Sequence, residues 1–368
     1  MWIVPREGPG ELKNPNVREV ARPGGAVLSG LQEHVLRARV FFMKIVITGG
    51  AGFLGQKLAR RLIQLSGIVA RDDGIRRPIR KIVLVDQVAA PELGDPRIEA
   101  VAADICDAGL MSPLIGPDVD LVFHLAAVVS GAAEADFDLG MRINLDASRH
   151  LLELCRAAGH RPRVVFTSSV AVYGGVLPTV VTDDTALNPR SSYGAQKAIG
   201  ELLLSDYDRK GFVDGRILRL PTISVRPGAP NKAASSFASS LIREPLNGKP
   251  TVCPVGLDLK LWLLSPRAAI DSLIAGAELA SAAIGERRAL NLPGLSVSVG
   301  EMIAALDRVG GKAATDLIRY ERDPAVEAIV GSWPGAWDIG RAAALGLRPD
   351  ADFEAIVRAY VEDDLPRG

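Results

Sequence analysis

The sequence predicts an α/β protein in which helices cover both faces of a parallel β-sheet. Short apolar runs recur from residue 44 onwards, and stretches with the apolar spacing of a helix separate them. Strands that are apolar throughout are typical of a sheet buried on both faces. Because such strands alternate with helices, each helix is expected to act as a crossover between parallel neighbours.

The predicted elements follow one another regularly as far as residue 220. Apolar runs predict strands at 44–48, 81–86, 98–102, 120–124, 163–167 and 215–220. Helical spacing predicts helices at 53–65, 137–158 and 192–210, and, after Pro and Gly interrupt the pattern, at 268–283, 299–309 and 352–362. We therefore expect a sheet domain at 43–220, with a later element returning to the sheet, and a smaller lobe at 221–368.

The first 42 residues do not share this pattern. They carry Pro, Gly and scattered charge with no sustained period, which predicts a disordered extension. Met43 stands directly before the first strand, so a start assigned too far upstream would give the same pattern.

Composition excludes several classes of protein. Lys plus Arg and Asp plus Glu both number 43, so no basic nucleic-acid footprint is expected for the chain as a whole. Cys106, Cys155 and Cys253 are widely spaced, and the four histidines lack the spacing of a metal motif, so we expect no metal and no disulfide framework. No apolar run approaches the ~20 residues of a membrane span, and no secretory signal is visible. We expect a cytoplasmic protein that binds neither nucleic acid nor membrane.

A glycine-rich turn follows the first strand. Gly49, Gly52 and Gly55 recur at three-residue spacing between that strand and the first helix. Glycine lets the backbone approach a pyrophosphate closely, and the helix N-terminus favours that negative charge. The alternative is that these glycines serve only the turn. Their place in the α/β pattern favours a Rossmann-type dinucleotide-binding domain over 43–220.

Asp86, at the end of the second predicted strand, indicates which dinucleotide is bound. A carboxylate there accepts hydrogen bonds from both ribose hydroxyls and repels a 2′-phosphate. Gln87, Val88 and Ala89 follow it, without an arginine, so NAD is preferred over NADP. Alternatively, Asp86 caps a turn or a helix.

Three later residues form a catalytic pattern. Tyr193 and Lys197 lie four residues apart on a predicted helix, so both project from one face. A phenol titrates near 10, and a nearby ammonium would lower its pKa and make it a usable base. Ser169, at the end of the preceding strand, would hold the substrate oxygen near Tyr193. This set suits removal of a hydroxyl proton coupled to hydride loss from the same carbon.

Taken together, these motifs resemble the extended short-chain dehydrogenase/reductase family over about 43–366. The matching segments are TGGAGFLG (48–55), ADI (103–105), FHLAA (123–127), INLDAS (143–148), FTSSVAVYG (166–174) and YGAQK (193–197), with WDIGR (337–341) and LGLRP (345–349) near the end. The resemblance implies a dinucleotide-binding domain with a smaller, mostly C-terminal substrate lobe.

The resemblance also implies roles for individual residues. Asn144 would hold a proton-relay water near Lys197, although it could instead bond the backbone of its own helix. Ser169, Tyr193 and Lys197 would be catalytic. The implied cofactor-binding residues are Gly49, Gly52, Phe53, Leu54, Gly55, Asp86, Asp104, Ile105, Leu125, Ala126, Tyr193 and Lys197.

The fold alone does not select a reaction, because the family contains dehydrogenases, epimerases and dehydratases. Dehydratases carry an Asp-Glu pair after the catalytic hydroxyl residue, whereas Val170 and Ala171 follow Ser169 here. Dehydration is therefore not expected. A dehydrogenase, a nucleotide-sugar 4-epimerase and a non-catalytic dinucleotide sensor stay open, and the complete Ser-Tyr-Lys set argues against the sensor.

The segment after the sixth predicted strand indicates a small anionic substrate. It is rich in cationic and hydroxyl groups, with Arg226, Lys232, Arg243 or Arg267 as candidate carboxylate ligands. Residues 124–140 and 226–249 resemble a subgroup of the family that acts on four-carbon sugar acids. That resemblance implies oxidation of the C2 hydroxyl with NAD, with Ser130, Ser169 and Tyr193 facing the substrate. We also expect a homodimer.

Overall fold

The computed structural model describes residues 42–228 and 235–366. The predicted extension lies outside these residues except for Phe42, and Lys232 also lies outside them. No helix in the described ranges is long and apolar enough to cross a membrane.

The described chain forms twelve strands in three sheets. In chain order they are β1 (Met43–Thr48), β2 (Ile79–Asp86), β3 (Ile98–Ala102), β4 (Leu121–His124), β5 (Arg163–Ser169), β6 (Asp214–Leu220), β7 (Thr222–Ile223), β8 (Thr251–Cys253), β9 (Lys260–Leu264), β10 (Ala289–Asn291), β11 (Leu295–Ser298) and β12 (Ile318–Tyr320).

The α-helices of the described ranges connect these strands. They are α1 (Phe53–Gln64), α2 (Ala108–Met111), α3 (Ser130–Ala135), α4 (Phe137–Gly140), α5 (Ala147–Ala157), α6 (Ser192–Arg209), α7 (Ser236–Leu246), α8 (Pro266–Glu278), α9 (Ser281–Ile284), α10 (Val299–Gly310), α11 (Lys312–Thr315), α12 (Pro324–Val330), α13 (Gly340–Ala344) and α14 (Phe353–Asp363). A π-helix (Met141–Asp146) joins α4 to α5, and a 3₁₀ turn (Val170–Val172) follows β5.

The central sheet has seven strands in the order β10-β6-β5-β4-β1-β2-β3, and every neighbouring pair is parallel. The chain reverses direction across the sheet between β1 and β4, and ligands of such sheets bind where the order reverses. The predicted fold class, a doubly wound parallel sheet, is confirmed.

Alternate residues of the strands pack against opposite helical layers. On one face, Ile45 and Ile47 of β1 pack in a cluster that includes side chains of α1 and α8. On the other face, Val46 packs in a cluster that includes side chains of α5 and α6. The apolar character of the central strands β1 and β4 follows from this arrangement, because both of their faces are covered.

Two elements from beyond residue 220 belong to the central sheet. Strand β10 pairs with β6 at its edge, and α8 packs on one face. A separate core is formed by side chains of α7, β8, β9, α10 and α14 among others. A three-stranded sheet, β11-β9-β7, connects this lobe to the end of β6.

Candidate active site

A cavity of about 510 Å³ opens at the carboxyl ends of the central strands, within the size range of ligand sites. Asn144 does not line it, and Lys232 lies outside the described residues. The other predicted site residues all line it: Gly49, Gly52, Phe53, Leu54, Gly55, Asp86, Asp104, Ile105, Leu125, Ala126, Ser130, Ser169, Tyr193, Lys197 and Arg226.

The glycine turn shapes one wall of this cavity. Gly49 has a φ of +74°, and a Cβ there would lie 2.8 Å from the backbone nitrogen of Ala126. A side chain is therefore excluded by backbone conformation and by space. Gly52 is the N-cap residue of α1. Because glycine has no side chain, it cannot accept hydrogen bonds from the backbone amides of the first helical turn. This arrangement fits a pyrophosphate.

Asp86 and Asp104 lie at the end of the cavity where the adenosine half of a dinucleotide is expected. Asp86 Oδ2 accepts a hydrogen bond from the backbone nitrogen of Ala51, at 3.1 Å. Asp86 thus supports the glycine turn while it lines the cavity. Asp104 accepts bonds from the backbone nitrogen of Cys106 and from Arg142, and the first of these is the main cause of its lowered pKa. The residues present therefore fit NAD.

The start of α6 is fixed by close packing. Ser191 caps the helix by accepting a bond from Gly194 N, and Glu134 of α3 accepts one from Ser192 N. A Cβ on Gly194 would lie 2.1 Å from the carbonyl oxygen of Ala171. Helix α6 therefore packs directly on the 3₁₀ turn that follows β5.

This packing brings Tyr193 against Ser169. Burial raises the pKa of Tyr193 to about 12, whereas a hydrogen bond with Ser169 and the positive charge of Arg226 lower it. We expected an ammonium, that of Lys197, to supply this charge. In the structure the cation that lowers the pKa of Tyr193 is Arg226, which sequence reasoning assigned only to the substrate.

Lys197 is almost completely buried beside Tyr193. Its Nζ lies 4.6 Å from the centre of the Phe166 ring and 5.7 Å from that of the Tyr193 ring. Burial lowers the pKa of Lys197 to about 7, and the negative charge of Glu201 opposes that shift.

Asn144 does not line the cavity, but its side chain is hydrogen-bonded to residues around it. It lies in the π-helix, where its amide donates to the carbonyl of Val128 and to Gln196 and accepts a bond from Val128 N. The alternative in which its side chain bonds the backbone of its own helix is wrong, because the side chain reaches the loop after β4. Its predicted role in holding a relay water stays a prediction.

A buried chain of hydrogen bonds links β1 to the π-helix that carries Asn144. No pattern in the sequence indicated this chain. Thr48 Oγ1 lies 2.7 Å from His124 Nδ1, and His124 Nε2 lies 2.8 Å from Ser148 Oγ. Since Ser148 Oγ donates to the carbonyl of Asn144, His124 donates from Nε2 and accepts from Thr48. Burial lowers the pKa of His124 to about 3, so the ring is neutral.

The substrate end of the cavity combines one guanidinium with hydroxyl groups. Arg226 is held by the carbonyl of Ile223 (Nε, 3.0 Å) and by Ser235 (Nη2, 2.6 Å). Ser130, Thr222 and Ser235 supply hydroxyl groups to the lining. Trp333, which arrives from a loop more than a hundred residues further along the chain, had no signal in the local sequence.

Two of the candidate carboxylate ligands lie elsewhere. Arg267 is half-exposed and pairs with Glu362 and Asp363 at the surface. Arg243 is buried and donates from Nη1 to the carbonyl of Arg226, so it supports the backbone of that residue. Neither lines the cavity, because long-range ion pairs and packing orient both side chains away.

Comparison with known proteins agrees with this geometry. Residues 45–262 match the model of the NAD dependent epimerase/dehydratase family. The chain belongs to this family. It is similar to D-erythronate dehydrogenase of Cupriavidus necator, with 61% identity over 87% of this chain and 98% of the relative. It is also similar to D-erythronate dehydrogenase of Haemophilus influenzae, with 44% identity over 88% of this chain and 100% of the relative.

A solved structure named as a nucleoside-diphosphate-sugar epimerase, from Agrobacterium tumefaciens, is similar as well. It has a TM-score of 0.82 and 44% identity, and the match covers 88% of this chain and 95% of that one. The family prediction is confirmed, as is the enzyme class, an NAD-dependent dehydrogenase acting on a CH–OH group. The names of the relatives differ on the substrate.

Proposed function

We propose that the protein oxidises the C2 hydroxyl of D-erythronate to 2-oxo-D-erythronate with NAD, and that Tyr193 is the general base. The observation that carries the proposal is the meeting of Ser169, Tyr193, Lys197 and Arg226 in one cavity, whose other end has the glycine turn and Asp86. The proposal includes the division at residue 220 into a cofactor domain and a mainly substrate-binding lobe, the preference for NAD over NADP, a homodimer and a cytoplasmic location.

The proposed mechanism assigns one task to each side chain. Ser169 holds the substrate hydroxyl beside Tyr193, and the Tyr193 phenolate takes the proton of that hydroxyl. NAD, when bound against the glycine turn and Asp86, would supply the hydride acceptor for C2, so that the alcohol would become a ketone. Arg226 favours the phenolate by its charge, and the Lys197 ammonium would hold the nicotinamide ribose of bound NAD. Since the phenol must ionise, the rate rises with pH.

The lining of the cavity favours a substrate that carries a carboxylate and hydroxyls, such as a sugar acid, over one that carries an ammonium, such as an amino acid. Arg226 provides a forked donor for a carboxylate, and Ser130, Thr222 and Ser235 can bond the hydroxyls of a polyol. Among the described lining residues, Asp86 and Asp104 are the only acids, and both lie at the adenosine end. A substrate ammonium would therefore lack a carboxylate partner at the reacting end.

A nucleotide-sugar 4-epimerase is the alternative, and the name of the Agrobacterium tumefaciens structure favours it. Such an enzyme must hold a base and a diphosphate besides NAD. Trp333 is the only aromatic residue of the described lining apart from Phe53 and Tyr193, which belong to the cofactor wall and the catalytic set. This supports the smaller substrate.

The test is a panel assay of NADH formation. D-Erythronate, its C2 epimer, other aldonates, L-threonine and UDP-sugars are each incubated with the protein and NAD. We expect NADH with D-erythronate and a 2-oxo acid as product. No NADH with any aldonate would refute the proposal. Tightly bound NAD together with interconversion of UDP-sugars, without net NADH, would support the epimerase instead.

A further inference from the structure

Helix α6 carries a third charged residue on the face that bears Tyr193 and Lys197. Glu201 follows Lys197 by four residues, as Lys197 follows Tyr193, so the three side chains lie on one face. Lys197 and Glu201 are only 2% and 3% exposed. A buried carboxylate one helical turn behind the catalytic lysine requires a physical explanation, because isolated buried charges are strongly unfavourable.

Two neighbouring strands hold this carboxylate in place. Arg219 of β6 donates to Glu201 from Nε and Nη2, at 2.9 and 2.6 Å, and Ser168 of β5 donates to it at 2.5 Å. Arg219 itself is fixed by Tyr173 and Asn291, to which it donates from Nη1. The Glu201 carboxylate is therefore rigidly oriented, whereas a surface glutamate would rotate.

Lys197 has few other groups to stabilise its charge. The ring faces of Phe166 and Tyr193 lie near its Nζ, and the nearest titratable group on β4, His124, is neutral. Burial lowers the pKa of Lys197, and Glu201 is the anion that opposes this shift. Arg219 reaches the carboxylate from β6, and because it is itself a cation it cannot stabilise the charge of Lys197.

We propose that Glu201 is a positioning residue whose carboxylate, fixed by Arg219 and Ser168, keeps the Lys197 ammonium charged inside the active site. The importance of that charge for turnover rests on the proposed function, but the effect of Glu201 on Lys197 does not. Arg219 serves this arrangement by holding the carboxylate. Its own charge is not required by Lys197.

Two variants that break the same ion pair separate this role from a purely structural one. Glu201→Gln removes the negative charge, so the pKa of Lys197 should fall by about one unit or more. Arg219→Gln leaves the negative charge without its strand partner, so the pKa of Lys197 should not fall. A merely structural ion pair predicts the same response to both changes.

The readout is NMR titration of the full-length protein labelled at lysine Cε, with the Lys197 signal assigned from the Lys197→Met variant. Because Glu201→Gln leaves Arg219 buried without an anionic partner, the double variant Glu201→Gln/Arg219→Gln is measured as well, and it should show the same lower midpoint. Asp214→Asn is the matched control. It breaks a buried carboxylate–arginine pair at the amino end of β6 and should leave Lys197 unchanged.

A Lys197 midpoint that stays constant in the double variant, or that falls equally in Arg219→Gln, would overturn the inference. The same variants are then assayed with D-erythronate and NAD. Loss of the ammonium should lower kcat/KM of Glu201→Gln in the pH range between the Lys197 midpoints of the two proteins, where only the unaltered protein still carries the charge. Absence of turnover in the unaltered protein would count against the proposed function alone, since the titration does not depend on it.

Discussion

Replacing Arg226 with leucine removes the guanidinium at the substrate end of the cavity. The change eliminates the donor pair expected to bind the substrate carboxylate, and it also removes the charge that lowers the pKa of Tyr193. Two distinct kinetic effects follow, one on substrate affinity and one on the pH profile. The change also removes the bonds that Arg226 donates to the carbonyl of Ile223 and to Ser235.

The first effect is the loss of hydrogen bonds between the guanidinium and the substrate carboxylate. Hydrogen bonds to charged groups contribute about 1.5–3 kcal/mol each, so the loss of even one of the pair should lower kcat/KM for D-erythronate by about 10- to 150-fold. D-Erythronamide, which keeps every hydroxyl but lacks the charge, should lose much less. The second effect is a shift of the rising limb of kcat/KM to higher pH, since Tyr193 no longer has a cation that favours its phenolate.

Steady-state kinetics of NADH formation measures both effects. Arg226→Lys is the conservative control and should recover part of the discrimination between acid and amide, because a lysine acts as a point charge without the fork. Arg267→Leu, at a surface ion pair away from the cavity, should match the unaltered protein. An equal loss on D-erythronate and D-erythronamide in Arg226→Leu would refute the assignment of Arg226 to the carboxylate.

Three further predictions concern the base, the cofactor and stability. Tyr193→Phe should lower kcat by about 10²–10⁴-fold while calorimetry shows unchanged NAD affinity, and a variant that retains turnover would exclude Tyr193 as the base. Asp86→Ser should raise the ratio of NADP to NAD turnover, and an unchanged ratio would favour the role of Asp86 as a cap of the glycine turn alone. The free energy of unfolding should decrease as pH falls from about 6.5 towards 3, by up to about 1.4 kcal/mol per unit for His124, because only the unfolded state protonates that ring. Denaturant titrations should show a shallower dependence in His124→Gln, and an identical slope in both proteins would contradict a neutral buried His124.

Local pattern was enough to predict the sheet and the cofactor wall. Ile45, Val46 and Ile47 are apolar in succession because both faces of β1 are covered, and the position of Gly49 follows from the end of that strand. Tyr193 and Lys197 share a face because of helical periodicity alone. These features depend on neighbours within a few residues, so the sequence contains them directly.

Features that depend on long-range contacts were not predictable in the same way. Trp333 reaches the cavity from a distant loop, and Arg267 lies at the surface because its ion-pair partners are on α14. The π-helix that turns Asn144 towards Val128 has no marker in the segment INLDAS. The charge near Tyr193 was assigned to Lys197 because spacing on one helix is visible in a sequence, whereas the approach of Arg226 from another element is not.

The central claim, hydride transfer from C2 of a sugar acid, is tested most directly with D-erythronate carrying deuterium at C2. After turnover with NAD, mass spectrometry of the reduced cofactor should show one deuterium per molecule, and the 2-oxo acid should have lost it. Reduced cofactor without deuterium, or a product that retains the label at C2, would contradict this account.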